Sequence, residues 1–172
     1  MSERPILFLD VDGVLNSNEH KTRGDVWGMS GYHISQLARV LRATGCQIVV
    51  SSSWRRGGIG PGSDFYEQLI EHAFGGAILR EVIDSTPLGE KLWTDGAYNR
   101  GWEIAHWLGE HPGVTCFAIV DDDEDAGSYA PERFVQTTMR SGLTPALADR
   151  LIALLCESET TTPAPQPAAS TK

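Results

Sequence analysis

The sequence predicts an α/β protein, a doubly wound (Rossmann-like) parallel sheet of about five strands with helices on both faces. Short runs with little polar alternation, residues 6–9, 47–50 and 115–120, read as strands buried on both faces. Stretches with helical apolar spacing lie between them, as crossovers between parallel strands require. Each run also ends in a polar cluster: Asp10-Val11-Asp12-Gly13, then Ser51-Ser52-Ser53, then the acids of 121–125. Open α/β sheets place their sites beyond the carboxyl ends of the strands, so these clusters converge on one crevice.

The first strand ends in two carboxylates one residue apart, followed by a glycine that permits a sharp turn. Such close carboxylates repel unless a cation sits between them, and closely placed oxygen ligands suit Mg²⁺. The plainer alternative is a solvated Asp-Gly turn. Ile34, Leu37, Ala38 and Leu41 then mark a helix between Ser30 as N-cap and Gly45 as its stop. After the second strand, residues 57–62 form a glycine-rich loop. Asp64 and Glu67 open a helix whose apolar face is Phe65, Leu69, Ile70, Ala73 and Phe74, and residues 79–83 make a short strand.

Residues 101–110 form the next helix, with Ile104, Trp107 and Leu108 on one face, ahead of the strand at 115–120. Residues 134–136 make a last short strand, and Thr144 and Pro145 start a final helix carrying Leu147, Leu151, Ile152, Leu154 and Leu155. From Glu157 the composition shifts to Thr, Pro, Ala and Ser, which reads as a disordered tail (157–172) behind one domain (1–156).

Bulk properties narrow the function classes. No apolar run has the length of a membrane helix, and Asp10 interrupts the N-terminal run, so it does not read as a signal peptide. Cys46, Cys116 and Cys156 lack metal-site or disulfide spacing and are expected to be buried thiols in a reducing cytoplasm. A net charge of −9 opposes broad binding to nucleic acid, though not a small local basic surface.

The ordered set offers a carboxylate nucleophile, a second carboxylic acid, a hydroxyl, a guanidinium and a metal-binding acid, the set that phosphoryl transfer needs. FLDVDGV, IVVSSSWR, Arg100 in NRGWEIAHWL, and AIVDDDED stand in that order in the chain. Over roughly residues 5 to 155 the sequence resembles the haloacid dehalogenase (HAD) superfamily, and within it the small phosphatase-like domains related to polynucleotide-repair phosphatases. Thr86-Pro87 and Gly142-Leu143-Thr144 also fit that subgroup.

The resemblance implies that Asp10 attacks phosphorus and forms an aspartyl-phosphate, and that Asp12 protonates the leaving oxygen and then activates water. It implies Mg²⁺ held by Asp10, the backbone carbonyl of Asp12 and an acid of the last motif, with Asp122 favoured and Asp121 next. Acids four apart, Asp121 and Asp125, are the competing pattern. Ser52 is the favoured phosphate-binding hydroxyl, with Ser51 and Ser53 as alternatives; Arg100 is the favoured cation, with Lys91 in competition. Trp54 and Arg55, beside the site, could stack a base and hold a phosphate, or simply pack the corner. His20, Lys21 and Arg23 lie where the family places a flap, though they read first as a solvated loop, and Trp102 and Trp107 are expected to be core or partly buried helix residues.

The gaps between motifs leave room for a minimal cap or none, so the site is expected to be open. The expected function is a Mg²⁺-dependent phosphomonoester hydrolase acting on a phosphorylated substrate, with a nucleotide or nucleic-acid end foremost. The rivals are a sugar phosphatase and a non-catalytic phosphate-sensing domain. No membrane association and no obligate protein partner are expected. Retention of both Asp10 and Asp12 weighs against the non-catalytic reading, because a binding module needs no general acid.

Overall fold

A strand with parallel neighbours on both sides and helices over both faces has no wet surface, and all four residues of β1 (Ile6–Leu9) are buried. The computed structural model describes residues 4–20, 28–88 and 99–156. Around β1 stand β2 (Gln47–Val50), β3 (Val82–Ser85), β4 (Phe117–Asp121) and β5 (Phe134–Gln136), all parallel, in the order β3-β2-β1-β4-β5. The chain builds outward from β1 through β2 to β3, then returns to pair β4 with the other edge of β1. That reversal places the switch-point crevice at the carboxyl ends of β1 and β4.

Side-chain alternation along the strands divides the core. Leu7, Leu9, Ile48, Val50 and Val120 face α1 (Gly31–Thr44) and α5 (Pro145–Cys156), through Ile34, Leu37, Ala148 and Leu151. Ile6, Phe8, Val49 and Ile119 face α4, the helix Arg100–Glu110, through Ile104, Trp107 and Leu108. Phe8 meets Trp107 edge to face with ring centroids 5.4 Å apart, the favoured aromatic arrangement. Ser30 caps α1 by accepting from the Tyr32 N–H, and Gly45 ends it at φ 64°.

Several expectations need correcting. The helix begun at Asp64 stops early: α2 (Asp64–Ile70) gives way to a turn and α3 (Gly75–Leu79), leaving Ile70, Ala73 and Phe74 exposed. Phe74 takes φ 72°, and a side chain on Gly75 would strike the Leu69 carbonyl, so the chain folds back where only glycine fits. The strand expected at 79–83 lies at Val82–Ser85. Trp102 and Cys156 are exposed rather than buried, whereas Trp107, Cys46 and Cys116 are buried. Residues 21–27, which include Lys21 and Arg23, and the segments 89–98, with Lys91, and 157–172, the expected tail, lie outside the described residues.

Between β1 and β2 the described chain forms α1; between β2 and β3 it forms a 3₁₀ turn (Ser53–Gly57), α2 and α3. Among the described residues no inserted domain covers the carboxyl ends of the strands, and no helix is long and apolar enough to cross a membrane.

Candidate active site

Strand register sets the level of the site. Leu9 pairs with Val50 on one side and Val120 on the other, so the next residues, Asp10, Ser51 and Asp121, emerge side by side. The ladder continues past the strand ends: Asp10 N–H donates to Val120 O, Ser51 N–H to Leu9 O and Thr86 N–H to Val50 O. Beyond Asp10 the chain turns tightly, with the N–H groups of Val14 and Leu15 donating to Val11 O. Gly13 sits in that turn at φ 67°, and a Cβ there would lie 2.4 Å from the Asp122 carboxyl group. Backbone conformation and the close approach of Asp122 therefore both demand glycine. A separate cavity of about 350 Å³, lined by Arg4, Ile6, Gln47, Ile83 and Trp107 among others, opens at the amino ends of the strands and holds none of these acids.

Asp10, Asp121 and Asp122 each bring a carboxylate oxygen within 4.8 Å of the others. Asp10 and Asp121 are almost fully buried. Burial pushes Asp10 up to about 7, against the pull of Arg100 and a hydrogen bond from Ser52. Burial, reinforced by repulsion from Asp10, pushes Asp121 up to about 8. Burial raises Asp122 as well. The Arg100 guanidinium lies 3.9 Å from Asp10 and 3.6 Å from Asp121, offsetting part of this charge. A hard divalent cation suits the remainder, because three converging carboxylates supply the oxygen ligands it prefers. Asp125 is occupied differently: its carboxylate accepts from the backbone N–H of Arg100 at 2.9 Å, at the start of α4.

The structure thus brings Asp10, Ser52, Arg100, Asp121 and Asp122 together. It separates Asp125 from the acid cluster and favours Asp121 and Asp122 as candidate metal ligands. Ser52 reaches Asp10, while the Ser51 hydroxyl is buried and has no hydrogen-bond partner among the described residues. Arg55, expected as a substrate contact, is turned inward and buried. Its guanidinium donates to Thr86 O at 2.9 Å, Pro87 O at 3.2 Å, Ser52 O and Glu103 Oε2 at 2.5 Å. It clamps the ends of β2 and β3 together and presents no face to a ligand.

Glu103 was not among the expected site residues. Fully buried, it accepts from both Arg55 and Arg100, the latter at 3.3 Å, and so holds Arg100 from behind while Arg100 faces the acids. Its spacing of three residues from Arg100 on one helix face was the available signal. Asn16 was also missed: its amide donates to Asp12 Oδ1 at 2.8 Å. His20 stacks on Tyr32, with ring centroids 4.2 Å apart.

Residues 6–148 match the family model of the HAD domain in Swiss Army Knife RNA repair proteins. The chain belongs to this family. The match takes in β1 through the start of α5, and with it every residue of the acid cluster. Membership makes the protein one of the phosphatase-type hydrolases of the HAD superfamily. None of the curated proteins compared with the chain matches it significantly.

Proposed function

We propose that this HAD domain is a Mg²⁺-dependent phosphomonoester hydrolase that works through an aspartyl-phosphate on Asp10, with the terminal phosphate of a nucleotide or polynucleotide as substrate. The observation that carries the chemistry is the position of Asp10: a buried carboxylate beside Ser52 and Arg100, with a second carboxylate, Asp12, two residues on. In the first step an Asp10 oxygen attacks phosphorus, the bond from phosphorus to the leaving oxygen breaks, and Asp12 gives that oxygen its proton. In the second, Asp12 takes a proton from water as the water oxygen attacks phosphorus. The bond to Asp10 breaks and orthophosphate leaves. Arg100 and the Ser52 hydroxyl are placed to neutralise and orient the phosphoryl oxygens. Mg²⁺, held by Asp10, Asp122, Asp121 and the Asp12 carbonyl, would offset the charge of substrate and acids alike.

The substrate reading draws on three things: the RNA-repair description of the family, the lack of an inserted domain among the described residues, and a cleft beside the site. The cleft, about 310 Å³, is lined by Ser53, Trp54, Arg56, Gly57 and Asp64. A net charge of −9 confines favourable contact to the last few nucleotides. With Mg²⁺ present, 3′-phosphorylated short oligonucleotides or nucleoside monophosphates should release phosphate faster than sugar phosphates do, and a chelator should stop the reaction. Preference for sugar phosphates would assign the domain to metabolite hydrolysis. Binding of phosphate esters without turnover of any would make it a sensing module.

The raised acids also make the metal readable from stability. In metal-free protein, between the ordinary carboxylate value near 4 and the raised values of about 7 and 8, the native state holds protons that the unfolded chain has lost. The slope of unfolding free energy with pH is then negative, so stability should fall as pH rises across that interval. Added Mg²⁺ should raise the melting temperature, and raise it more at pH 8 than at pH 5, because it binds the ionised carboxylates. Asp122→Ala should shrink that gain more than Asp125→Ala. The opposite ranking, read by thermal melts with and without Mg²⁺, would move the metal to the acids four apart.

A further inference from the structure

Asp12 carries the proton in both proposed steps, so its carboxylate must be aimed. Two donors aim it. The Trp54 indole N–H donates to Oδ2 at 3.0 Å, and the Asn16 side-chain amide donates to Oδ1 at 2.8 Å. The amide's orientation is set independently, because the backbone N–H of Gly13 donates to Asn16 Oδ1 at 2.8 Å. A backbone N–H can only donate, so the oxygen must face Gly13 and the NH₂ must face Asp12. Trp54 is anchored in its turn: it packs against the core under α1 and α5, and its backbone N–H donates to Ser52 Oγ at the start of the 3₁₀ turn. The same indole lines the cleft beside Ser53 and Arg56.

The geometry points to Trp54 as a positioning residue for the general acid–base, with Asn16 as the second anchor, and through it to a preference for esters of poor leaving groups. This rests on the proposed chemistry of Asp12. A leaving oxygen that Asp12 protonates must depart on the Asp12 side, and Trp54, which donates to Asp12, also lines the neighbouring cleft with Ser53 and Arg56. Trp54 thus joins the acid to the cleft proposed for the leaving group. Stacking alone would bind ground and transition states alike and alter only KM. Aiming the acid acts on the transition state, and only where the leaving oxygen needs a proton.

The test uses the full chain with Mg²⁺ and compares two esters: a nucleoside monophosphate, whose alkoxide leaving group needs protonation, and an aryl phosphate such as p-nitrophenyl phosphate, which leaves readily without it. Trp54→Phe keeps an aromatic ring in the packing and removes the N–H. It should lower kcat/KM for the nucleoside ester about ten-fold or more, and for the aryl ester no more than about three-fold. Equal losses on both esters, or none on either, would overturn the positioning role. Should Trp54→Phe fail to fold, Asn16→Asp carries the same comparison, since it keeps the acceptor for Gly13 but turns an oxygen toward Asp12. Asp12→Asn separates the acid–base chemistry from the positioning of the acid. If that variant hydrolyses the nucleoside ester normally, the acid–base chemistry itself is wrong. If it is inactive while the anchor variant behaves as wild type, only the positioning role falls.

Discussion

Asp10→Asn is expected to lose phosphatase turnover by about 10⁴-fold or more, the scale on which removal of a covalent nucleophile acts. The amide is isosteric with the carboxylate but cannot form the acyl phosphate. The fold should not suffer. Asp10 sits at the end of a strand whose ladder is made by backbone groups, and its own ionisation opposes burial beside Asp121. Replacing it by a neutral amide removes a repelling charge from the cluster, so metal-free protein at neutral pH should melt no lower than wild type. The loss of activity and the unchanged melt together separate a chemical role from a structural one. Acid-stable, hydroxylamine-labile phosphate on the quenched wild-type enzyme, missing from the variant, would place the intermediate on this residue. Normal turnover by Asp10→Asn would falsify the covalent route outright.

What was legible in the sequence follows from how each feature is encoded. A strand buried on both faces must be apolar throughout, so β1, β2 and β4 stand out, and the polar residues that end them stand out with them. The helix ends around α1 were equally readable, because caps are local chemistry. At β3 the signal was weak: Ile83 is exposed and Asp84 and Ser85 interrupt the run, as an edge strand allows. At Phe74 the apolar spacing continued past the true end of α2, and only a tight backbone contact at Gly75 stops the helix.

The site divides the same way. Residues that extend strands were located because strand ends define the crevice. Side chains on the 3₁₀ turn after β2 were not, because adjacency does not say which way a turn residue points. Trp54 and Arg55 are neighbours in sequence, yet one donates to Asp12 and the other is buried against Glu103. Lysine in place of Arg55 could not make these contacts, since its point charge lacks the fork that reaches several carbonyls and a carboxylate at once.

That buried network leads to the second large effect. Glu103 stands between two guanidinium groups, with Arg55 at 2.5 Å and Arg100 at 3.3 Å, and its side chain has no exposed surface. Glu103→Ala would leave Arg55 buried without its carboxylate, and such broken buried pairs cost about 3–5 kcal/mol. The loss should appear as a lower denaturant midpoint. Replacing the whole network by apolar residues could be far milder, so the figure describes an orphaned charge and not the net worth of the network. Activity should fall beyond what instability explains: without Glu103 behind it, Arg100 can close on Asp10 and Asp121, 3.9 and 3.6 Å away, so that these carboxylates compete with substrate phosphate for its guanidinium. Glu103→Gln retains an acceptor for one guanidinium and should fall between wild type and alanine in both readouts. The measurement is equilibrium unfolding of the three proteins together with kcat/KM at a temperature where each is folded. A midpoint for Glu103→Ala within error of wild type would mean that Arg55 is satisfied by its carbonyl partners alone, and that α4 is not tied to the ends of β2 and β3 through this carboxylate.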